Sequence, residues 1–169
     1  WRCRWSAPDV TILCTERCNL LVSDYYDAVG EITAACNACI RDFESDGAHC
    51  VGVHLEGPFL SYEKRGAQNA QYLQKPNMEE LEKLNEACGG QVRMITVAPE
   101  EDRDLVFIRQ ASRLCTVSLG HSVADYEMAQ AAFEAGATHV THMFNGMNGI
   151  HSPEAGIIGA AFDAGATVD

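Results

Sequence analysis

The sequence has no uninterrupted apolar run near the roughly 18 residues that a membrane-spanning helix requires, and it has few basic residues. Lys and Arg together number 12 against 24 Asp and Glu, which gives a net charge of −12. This excess of acidic groups argues against nucleic acid and against an anionic membrane surface as partners. The N-terminal residues carry charges without an adjoining apolar stretch, so no secretory signal peptide is predicted.

The cysteines number eight and lack the regular spacing of a disulfide framework. With 47% hydrophobic residues among 169, the composition instead predicts one globular domain with a sizeable core. A reducing, cytoplasmic location is therefore expected. Cys36 and Cys39 form a CxxC pair within a helical pattern rather than after a strand, which disfavours a redox motif.

Helical and strand patterns alternate from about residue 23 to the end of the chain. Helices are predicted at 23–43, 76–88, 100–113 and 122–135, and strands at 50–56, 92–98, 114–120 and 138–144. Asn77 is the expected N-cap of the second helix and Ser122 that of the fourth. An apolar segment follows at 157–162, and a further strand is expected to begin at Val168.

This alternation predicts parallel strands joined by right-handed crossovers, either in a doubly wound sheet or in part of a (β/α)₈ barrel. Because a complete barrel takes about 250 residues, the chain would hold about half of one. Residues 1–22 show no clear periodicity, although 10–13 could form a strand. They are predicted to be an atypical N-terminal segment, with residues 23–169 forming part of the barrel domain.

Three metal-capable side chains are predicted at or just beyond the ends of strands: Glu56, His121 and His142. The carboxyl ends of parallel strands lie side by side, so these groups would meet at one edge of the sheet. One carboxylate and two imidazoles suit a zinc ion with positions left open for water and substrate. A salt-bridged Glu56, with histidines that cap helices or fill gaps, is the structural alternative.

Other histidines have different expected roles. His54 shares a strand face with Glu56 and is expected to support that carboxylate rather than bind an ion. His139 is expected to be structural, and His151 lies in a glycine-rich loop from which it could reach a substrate. The polar connection at 61–75 is long, which is typical of functional loops.

Five motifs occur in a fixed order within residues 47–165: HLEGPFLS from His54, KRGAQ from Lys64, VAPE from Val97, SLGHS from Ser118 and THMFNGM from Thr141. Together they resemble the N-acetylglucosamine-6-phosphate deacetylases of the amidohydrolase superfamily. The resemblance implies about half of a metal-dependent (β/α)₈ barrel. It also implies hydrolysis of N-acetyl-D-glucosamine 6-phosphate to D-glucosamine 6-phosphate and acetate, a step of amino-sugar catabolism.

The resemblance further implies roles for individual residues. Glu56, His121 and His142 match the ligands of one divalent ion, most often zinc. The positions that contact the amino-sugar phosphate match Ala67, Gln68, Asn145 and Gly146, to which His151 is added as a candidate. The implied protein is a cytoplasmic homo-oligomer, a dimer in the full-length family, without nucleic acid or membrane as partner.

The chain also departs from the family's pattern. Pro153 stands where the phosphate-binding Arg is expected, beside Glu154, and the early His-x-His motif is absent. The family's Asp acid/base would lie beyond residue 169, so no catalytic acid/base is expected within the chain. Of the nearby carboxylates, Asp163 falls in a helix or loop, and Asp169, at the terminus, is expected to be disordered.

Two alternative functions follow from these departures. The first is a related amidohydrolase that acts on another amide, which the loss of the phosphate-binding Arg favours. The second is an inactive fragment that binds a metal or associates through its open sheet edges.

Overall fold

A computed structural model of the protein describes residues 11–13, 17–22 and 49–169. The predicted helix at 23–43, with Cys36 and Cys39, lies outside the described residues. None of the helices within the described ranges is long and apolar enough to cross a membrane.

Within the described residues, seven strands form one sheet in which the spatial order of the strands is their order along the chain. β1 and β2 pair antiparallel, whereas every pair from β2 to β7 is parallel. The strands are β1 (Thr11–Leu13), β2 (Arg17–Val22), β3 (His49–Glu56), β4 (Val92–Val97), β5 (Thr116–Leu119), β6 (His139–Val140) and β7 (Thr167–Val168). The predicted parallel arrangement is confirmed, and β2 is a strand that the sequence pattern did not reveal.

Helices follow β3, β4, β5 and β6, which gives the expected alternation. They are α1 (Met78–Ala87), α2 (Val106–Ala111), α3 (Tyr126–Ala135) and α4 (Gly156–Ala164). Short 3₁₀ turns occur at Ala70–Tyr72 and Pro99–Glu101. The apolar segment at 157–162 is therefore part of a helix, and the strand expected at Val168 is present as β7.

Local signals account for α1. The Asn77 side chain accepts a hydrogen bond from the backbone N–H of Glu79, as an N-cap should. Leu81 and Leu84 face the core, and Gly89 follows the helix at a φ of 63°, a conformation that side chains disfavour. The predicted cap of this helix is confirmed.

The helix predicted at 100–113 is confirmed only at Val106–Ala111, because the residues of its acidic first turn make other contacts. The Asp102 carboxylate accepts hydrogen bonds from the backbone N–H groups of Phe107 and Ile108, so it holds the start of α2 several residues later. Leu105, just before that start, has a left-handed φ of 53°. The Glu100 carboxylate instead accepts hydrogen bonds from the loop after β5.

Two further boundaries differ from the predictions. The cap of α3 is Asp125, which accepts from the backbone N–H of Met128, whereas the Ser122 hydroxyl donates to Glu100. The strand predicted at 138–144 ends at Val140, because His142 and Phe144 have left-handed φ values of 35° and 79°. These turns stop the extended backbone and start the loop that follows.

The two faces of the parallel sheet differ in chemistry. The face that carries Val53, Leu55, Ile95, Val97, Val117 and Leu119 joins one buried hydrophobic core with α1 to α4. The alternate residues on the opposite face are polar but also buried, among them His54, Thr96 and Ser118. The predicted α/β class is confirmed. The candidate site lies at the carboxyl end of the strands that carry this polar face.

Candidate metal centre

The carboxyl ends of three parallel strands bring Glu56, His121 and His142 together. Glu56 is the last residue of β3, and the two histidines each lie two residues beyond the end of β5 or β6. The left-handed turns at His121 and His142 direct both rings toward Glu56. The side chains of Glu56 and His121 are buried, whereas that of His142 is 31% exposed.

The potential ligand atoms of these residues lie within 4.8 Å of one another. Glu56 Oε1 is 2.5 Å from His121 Nε2 and 2.9 Å from His142 Nε2. The two Nε2 atoms are 3.0 Å apart. One carboxylate oxygen and two imidazole nitrogens therefore converge on one small volume.

The other ring nitrogen of each histidine contacts a backbone carbonyl. His121 Nδ1 lies 2.8 Å from the Lys64 carbonyl oxygen, and His142 Nδ1 lies 3.0 Å from that of Asn145. A carbonyl can only accept, so each Nδ1 carries the proton and donates it. In the neutral rings the lone pairs of both Nε2 atoms consequently point toward Glu56, which is the tautomer that a metal-binding histidine needs.

This donor set fits a divalent cation. Without a proton or a cation between them, two nitrogen lone pairs and a carboxylate oxygen at about 3 Å would repel one another. A cation bound by all three removes that repulsion and uses the ligand types that zinc prefers. The residues expected to bind a metal are therefore together, in the orientation that such a role requires.

The same proximity changes the proton affinities of the groups. Burial raises the pKa of Glu56, but in the metal-free cluster hydrogen bonds from protons bound at the facing Nε2 atoms of His121 and His142 outweigh burial and hold this pKa at about 2. The hydrogen bond to Glu56 raises the pKa of His142. Desolvation lowers the pKa of His54 to about 4, so this buried ring is neutral at physiological pH.

Two glycines let loop backbone pass close to the histidine rings. A Cβ atom at Gly146 would lie 3.3 Å from both His121 Nδ1 and His142 Cε1, and one at Gly66 would lie 3.7 Å from His121 Cε1. Both glycines have φ near 60°. The loops after β3 and β6 thus lie over the cluster.

The expected substrate-contact residues lie in those two loops. Ala67 is exposed and Gln68 half-buried, next to Gly66, in the loop after β3. Asn145 is exposed and Gly146 half-buried, directly after the His142 turn. His151 is exposed further along that loop, where its backbone N–H donates to the Glu154 carbonyl.

Asp169 has a place that the sequence did not predict. It was expected to be disordered, but its carboxylate Oδ1 accepts from the backbone N–H of His142 at 2.5 Å, and its carbonyl accepts from Met143. It therefore holds the turn that carries a potential ligand. Its position directly after a parallel strand was the available signal.

His54 is the other residue whose contacts differ from expectation. Its Nε2 atom lies 2.7 Å from the Thr96 hydroxyl, so its hydrogen bond joins it to β4 rather than to Glu56. The sequence predicts no role for the hydroxyls of Thr96, Ser118 and Thr141, because buried hydroxyl residues in strands carry no distinctive pattern. His139 is buried and its Nδ1 contacts the Thr167 hydroxyl, in keeping with a structural role.

Parallel strands with helices between them, and a carboxylate with two imidazoles at their carboxyl ends, define the class as an α/β protein with a candidate metal centre. Within that class the chain is similar to N-acetylglucosamine-6-phosphate deacetylases, as its motifs predicted. The Bacillus subtilis enzyme of this name is 39% identical over 116 residues, which is 68% of this chain and 29% of the relative. The human enzyme is 44% identical over 116 residues, 67% of this chain and 28% of the relative.

Solved structures agree with the sequence comparison. A mutant of the Mycobacterium smegmatis deacetylase, in complex with N-acetyl-D-glucosamine-6-phosphate, matches with a TM-score of 0.73 and 32% identity over 89% of this chain and 39% of that chain. The Thermotoga maritima enzyme matches with a TM-score of 0.63 and 33% identity over 77% of this chain and 34% of that chain. No protein-family model matches. The chain spans less than a third of the length of the curated relatives it matches.

Proposed function

We propose that this chain carries the metal centre of a deacetylase that hydrolyses N-acetyl-D-glucosamine 6-phosphate to D-glucosamine 6-phosphate and acetate. The observation that carries the proposal is the convergence of Glu56 Oε1 with the Nε2 atoms of His121 and His142. The similarity to deacetylases in both sequence and structure supports the same reaction.

One divalent ion, most readily zinc, would be held by Glu56, His121 and His142. Such an ion, when bound, supplies Lewis acidity for hydrolysis of the acetamide. The protein's part is to hold the proton of each neutral ring on Nδ1 through the carbonyls of Lys64 and Asn145, which leaves both Nε2 lone pairs and the Glu56 carboxylate for the ion. The half-buried edge of His142 is the side from which a substrate can approach.

The loops after β3 and β6 are proposed to bind the amino-sugar phosphate. Ala67 and Gln68 would contact the sugar, and Asn145 and Gly146 the phosphate region, with His151 at the outer end of the second loop. Asn145 supports this role through its exposed side chain beside His142. An exposed amide can donate two hydrogen bonds to phosphate oxygens.

The proposal also concerns the larger protein. Residues 23–169 would be part of a (β/α)₈ barrel of the TIM type, with residues 1–22 as an atypical segment that adds β1 and β2 to the sheet. We propose a cytoplasmic enzyme that works as a homo-oligomer. The parallel order of β2 to β7 and the partial coverage of the relatives support the partial barrel.

A related amidohydrolase with another amide substrate is the second candidate. It is favoured by Pro153, which stands where a phosphate-binding Arg is expected. The adjacent Glu154 does not replace that cation. Its carboxylate accepts hydrogen bonds from the backbone N–H groups of Tyr126 and Gly156, at the starts of α3 and α4.

Titration calorimetry with the zinc-loaded chain separates these functions. N-acetylglucosamine 6-phosphate should bind with a metal-dependent heat, and N-acetylglucosamine should bind more weakly, because the phosphate adds charge-assisted hydrogen bonds. Equal binding of both sugars would favour the second candidate. Zinc binding without binding of either sugar would overturn the proposed substrate and leave another amide substrate or an inactive metal-binding fragment.

A further inference from the structure

A chain of side-chain hydrogen bonds crosses four strands beneath the metal centre. His54 Nε2 lies 2.7 Å from Thr96 Oγ1, which lies 2.8 Å from Thr141 Oγ1. Thr141 Oγ1 in turn lies 2.6 Å from Ser118 Oγ. The four residues come from β3, β4, β5 and the residue directly after β6.

These side chains are as buried as the hydrophobic core. Thr96 and Ser118 have no exposed surface, Thr141 is 3% exposed and His54 is 4% exposed. A buried hydroxyl without a partner costs about 1–3 kcal/mol, so each bond in the chain matters to its neighbours. Thr141 is the centre of the chain, since it contacts both Thr96 and Ser118.

The packing around Gly120 shows how closely this layer is built. A Cβ atom at Gly120 would lie 2.9 Å from Thr96 Cγ2 and 3.2 Å from Thr141 Cβ. The residue before His121 therefore has to be glycine for the side chains of Thr96 and Thr141 to meet. The turn at Gly120 and His121 packs directly against the hydroxyl chain. A change in either one would therefore displace the other.

Each member of the chain lies near a potential metal ligand along the backbone. Thr96 is the register partner of Glu56 on β3 and of Ser118 on β5. Thr141 immediately precedes His142, and its backbone N–H donates to the carbonyl of Leu119 on β5. A shift of one strand along its neighbour would thus move a ligand and break a hydroxyl contact at the same time.

We propose that Thr96, Ser118 and Thr141 are positioning residues for the metal centre. Their hydrogen-bonded hydroxyls fix how far each strand end extends along the strand direction relative to its neighbours. Glu56, His121 and His142 belong to different strands, and metal–ligand distances tolerate errors of only about 0.2 Å. A directional hydrogen-bond chain adds to the backbone pairing in limiting sliding between strands, and apolar side chains of equal volume would lack that directionality. The inference deepens the proposed function, because it assumes that the cluster binds a metal.

Thr141→Val tests the proposal, since valine keeps the shape of threonine and loses the hydroxyl. Cobalt binding to the chain is measured by competition with a chelator, together with the visible absorption spectrum of the bound ion and thermal unfolding of the metal-free protein. We expect a folded variant whose cobalt affinity falls about 10- to 100-fold, as for other residues that orient metal ligands. The absorption spectrum should change with it, because the ligand geometry changes.

Thr141→Ser is the rescue and Thr116→Val is the matched control. Serine restores the hydroxyl, so affinity and spectrum should return close to those of the unmodified protein. Thr116 lies on β5 at the opposite end of the strand from His121, so its substitution should change neither. If Thr141→Val does not fold, Ser118→Ala decides between the outcomes by the same readouts.

The outcomes separate the two claims. Unchanged affinity and spectrum in folded Thr141→Val would overturn the positioning role while leaving the metal centre in place. The positioning role is also overturned if Thr141→Ser is as defective as Thr141→Val. Failure of the unmodified protein to bind cobalt would overturn the metal centre itself, and the positioning role with it.

Discussion

Each histidine of the candidate metal centre uses its two ring nitrogens for different tasks. Nδ1 donates to a backbone carbonyl, and Nε2 faces the Glu56 carboxylate. Because the carbonyls belong to loop residues, the loops after β3 and β6 determine the orientation of the rings. The metal-free cluster can bind a proton where the ion would bind, so protons and metal compete.

This competition predicts a pH dependence for zinc affinity. The pKa of His142 is raised by its hydrogen bond to Glu56, whereas Glu56, with a pKa of about 2, stays ionised. Zinc must displace the proton from His142, so affinity should fall as the pH is lowered through this raised pKa and level off above it. Affinities measured by chelator competition between pH 8 and 5.5 check this. His151→Ala is the control and should show the same pH dependence as the unmodified chain. Zinc affinities that do not change with pH over this range would contradict the predicted competition.

At the scale of elements, the loop after β6 has to pass very close to two rings. Gly146 has a φ of 62° and Gly89 one of 63°, but a Cβ at Gly89 would have no atom within 4 Å. This pair separates the cost of a left-handed backbone from the cost of crowding the site. The left-handed conformation alone costs a residue with a Cβ about 1–2 kcal/mol.

Gly146→Ala and Gly89→Ala should therefore differ in metal binding. Both should lose about 1–2 kcal/mol of unfolding free energy in urea titrations. Only Gly146→Ala should also lose zinc affinity, because its methyl group crowds His121 and His142. Equal zinc affinities for the two variants would mean that the loop does not lie over the rings as described.

The elements differ in how well the sequence predicts them, for physical reasons. α1 was predictable because its cap and its stop are local residues, Asn77 and Gly89. The start of the helix predicted at 100–113 was not, because Glu100 bonds to a loop that comes close only in the folded chain and Asp102 holds a start several residues later. The three potential ligands were predictable because parallel topology alone brings strand ends together. Their ring orientation and the buried hydroxyls depend on contacts across the sheet, which no local pattern encodes.

For the molecule as a whole, the last strand of the described sheet, β7, is an unpaired edge that can associate with another chain. β7 pairs with β6 on one side and is at the edge of the sheet order. Val168 on this strand is 50% exposed, and Phe162 on the neighbouring α4 is 69% exposed. An edge strand beside exposed apolar side chains is a template for association with another chain.

The chain 1–169 should consequently self-associate as its concentration rises. Val168→Lys should reduce association, because a charge on an edge strand opposes pairing. Val106→Lys is the control, since Val106 on α2 is 49% exposed but far from a sheet edge. Sedimentation velocity measures the change. A sharp monomer boundary for the unmodified chain, with cooperative unfolding, would count against this account of the edge.

Acetate release from N-acetylglucosamine 6-phosphate by the zinc-loaded chain 1–169 should stay well below about 1 s⁻¹, the low end of ordinary enzymes. The leaving amine needs a proton, and a positioned general acid is worth about 10²–10⁴-fold. Besides the potential ligand Glu56, Asp169 is the described carboxylate that contacts His142, but its Oδ1 accepts from the His142 backbone and its Oδ2 lies 3.6 Å from His139 Nε2. Zinc-dependent turnover at or above that rate, absent after chelation, would show that a proton donor is present.

The most direct test of the account locates the metal. Crystals of the zinc-loaded protein, measured on both sides of the zinc absorption edge, should show one anomalous peak about 2.0–2.2 Å from Glu56 Oε1 and the two Nε2 atoms. His121→Ala and His142→Ala should each remove most of the bound zinc, measured by metal analysis, whereas His151→Ala should retain it. A peak at other residues, or full zinc content with both ligand histidines replaced, would contradict the proposed metal centre.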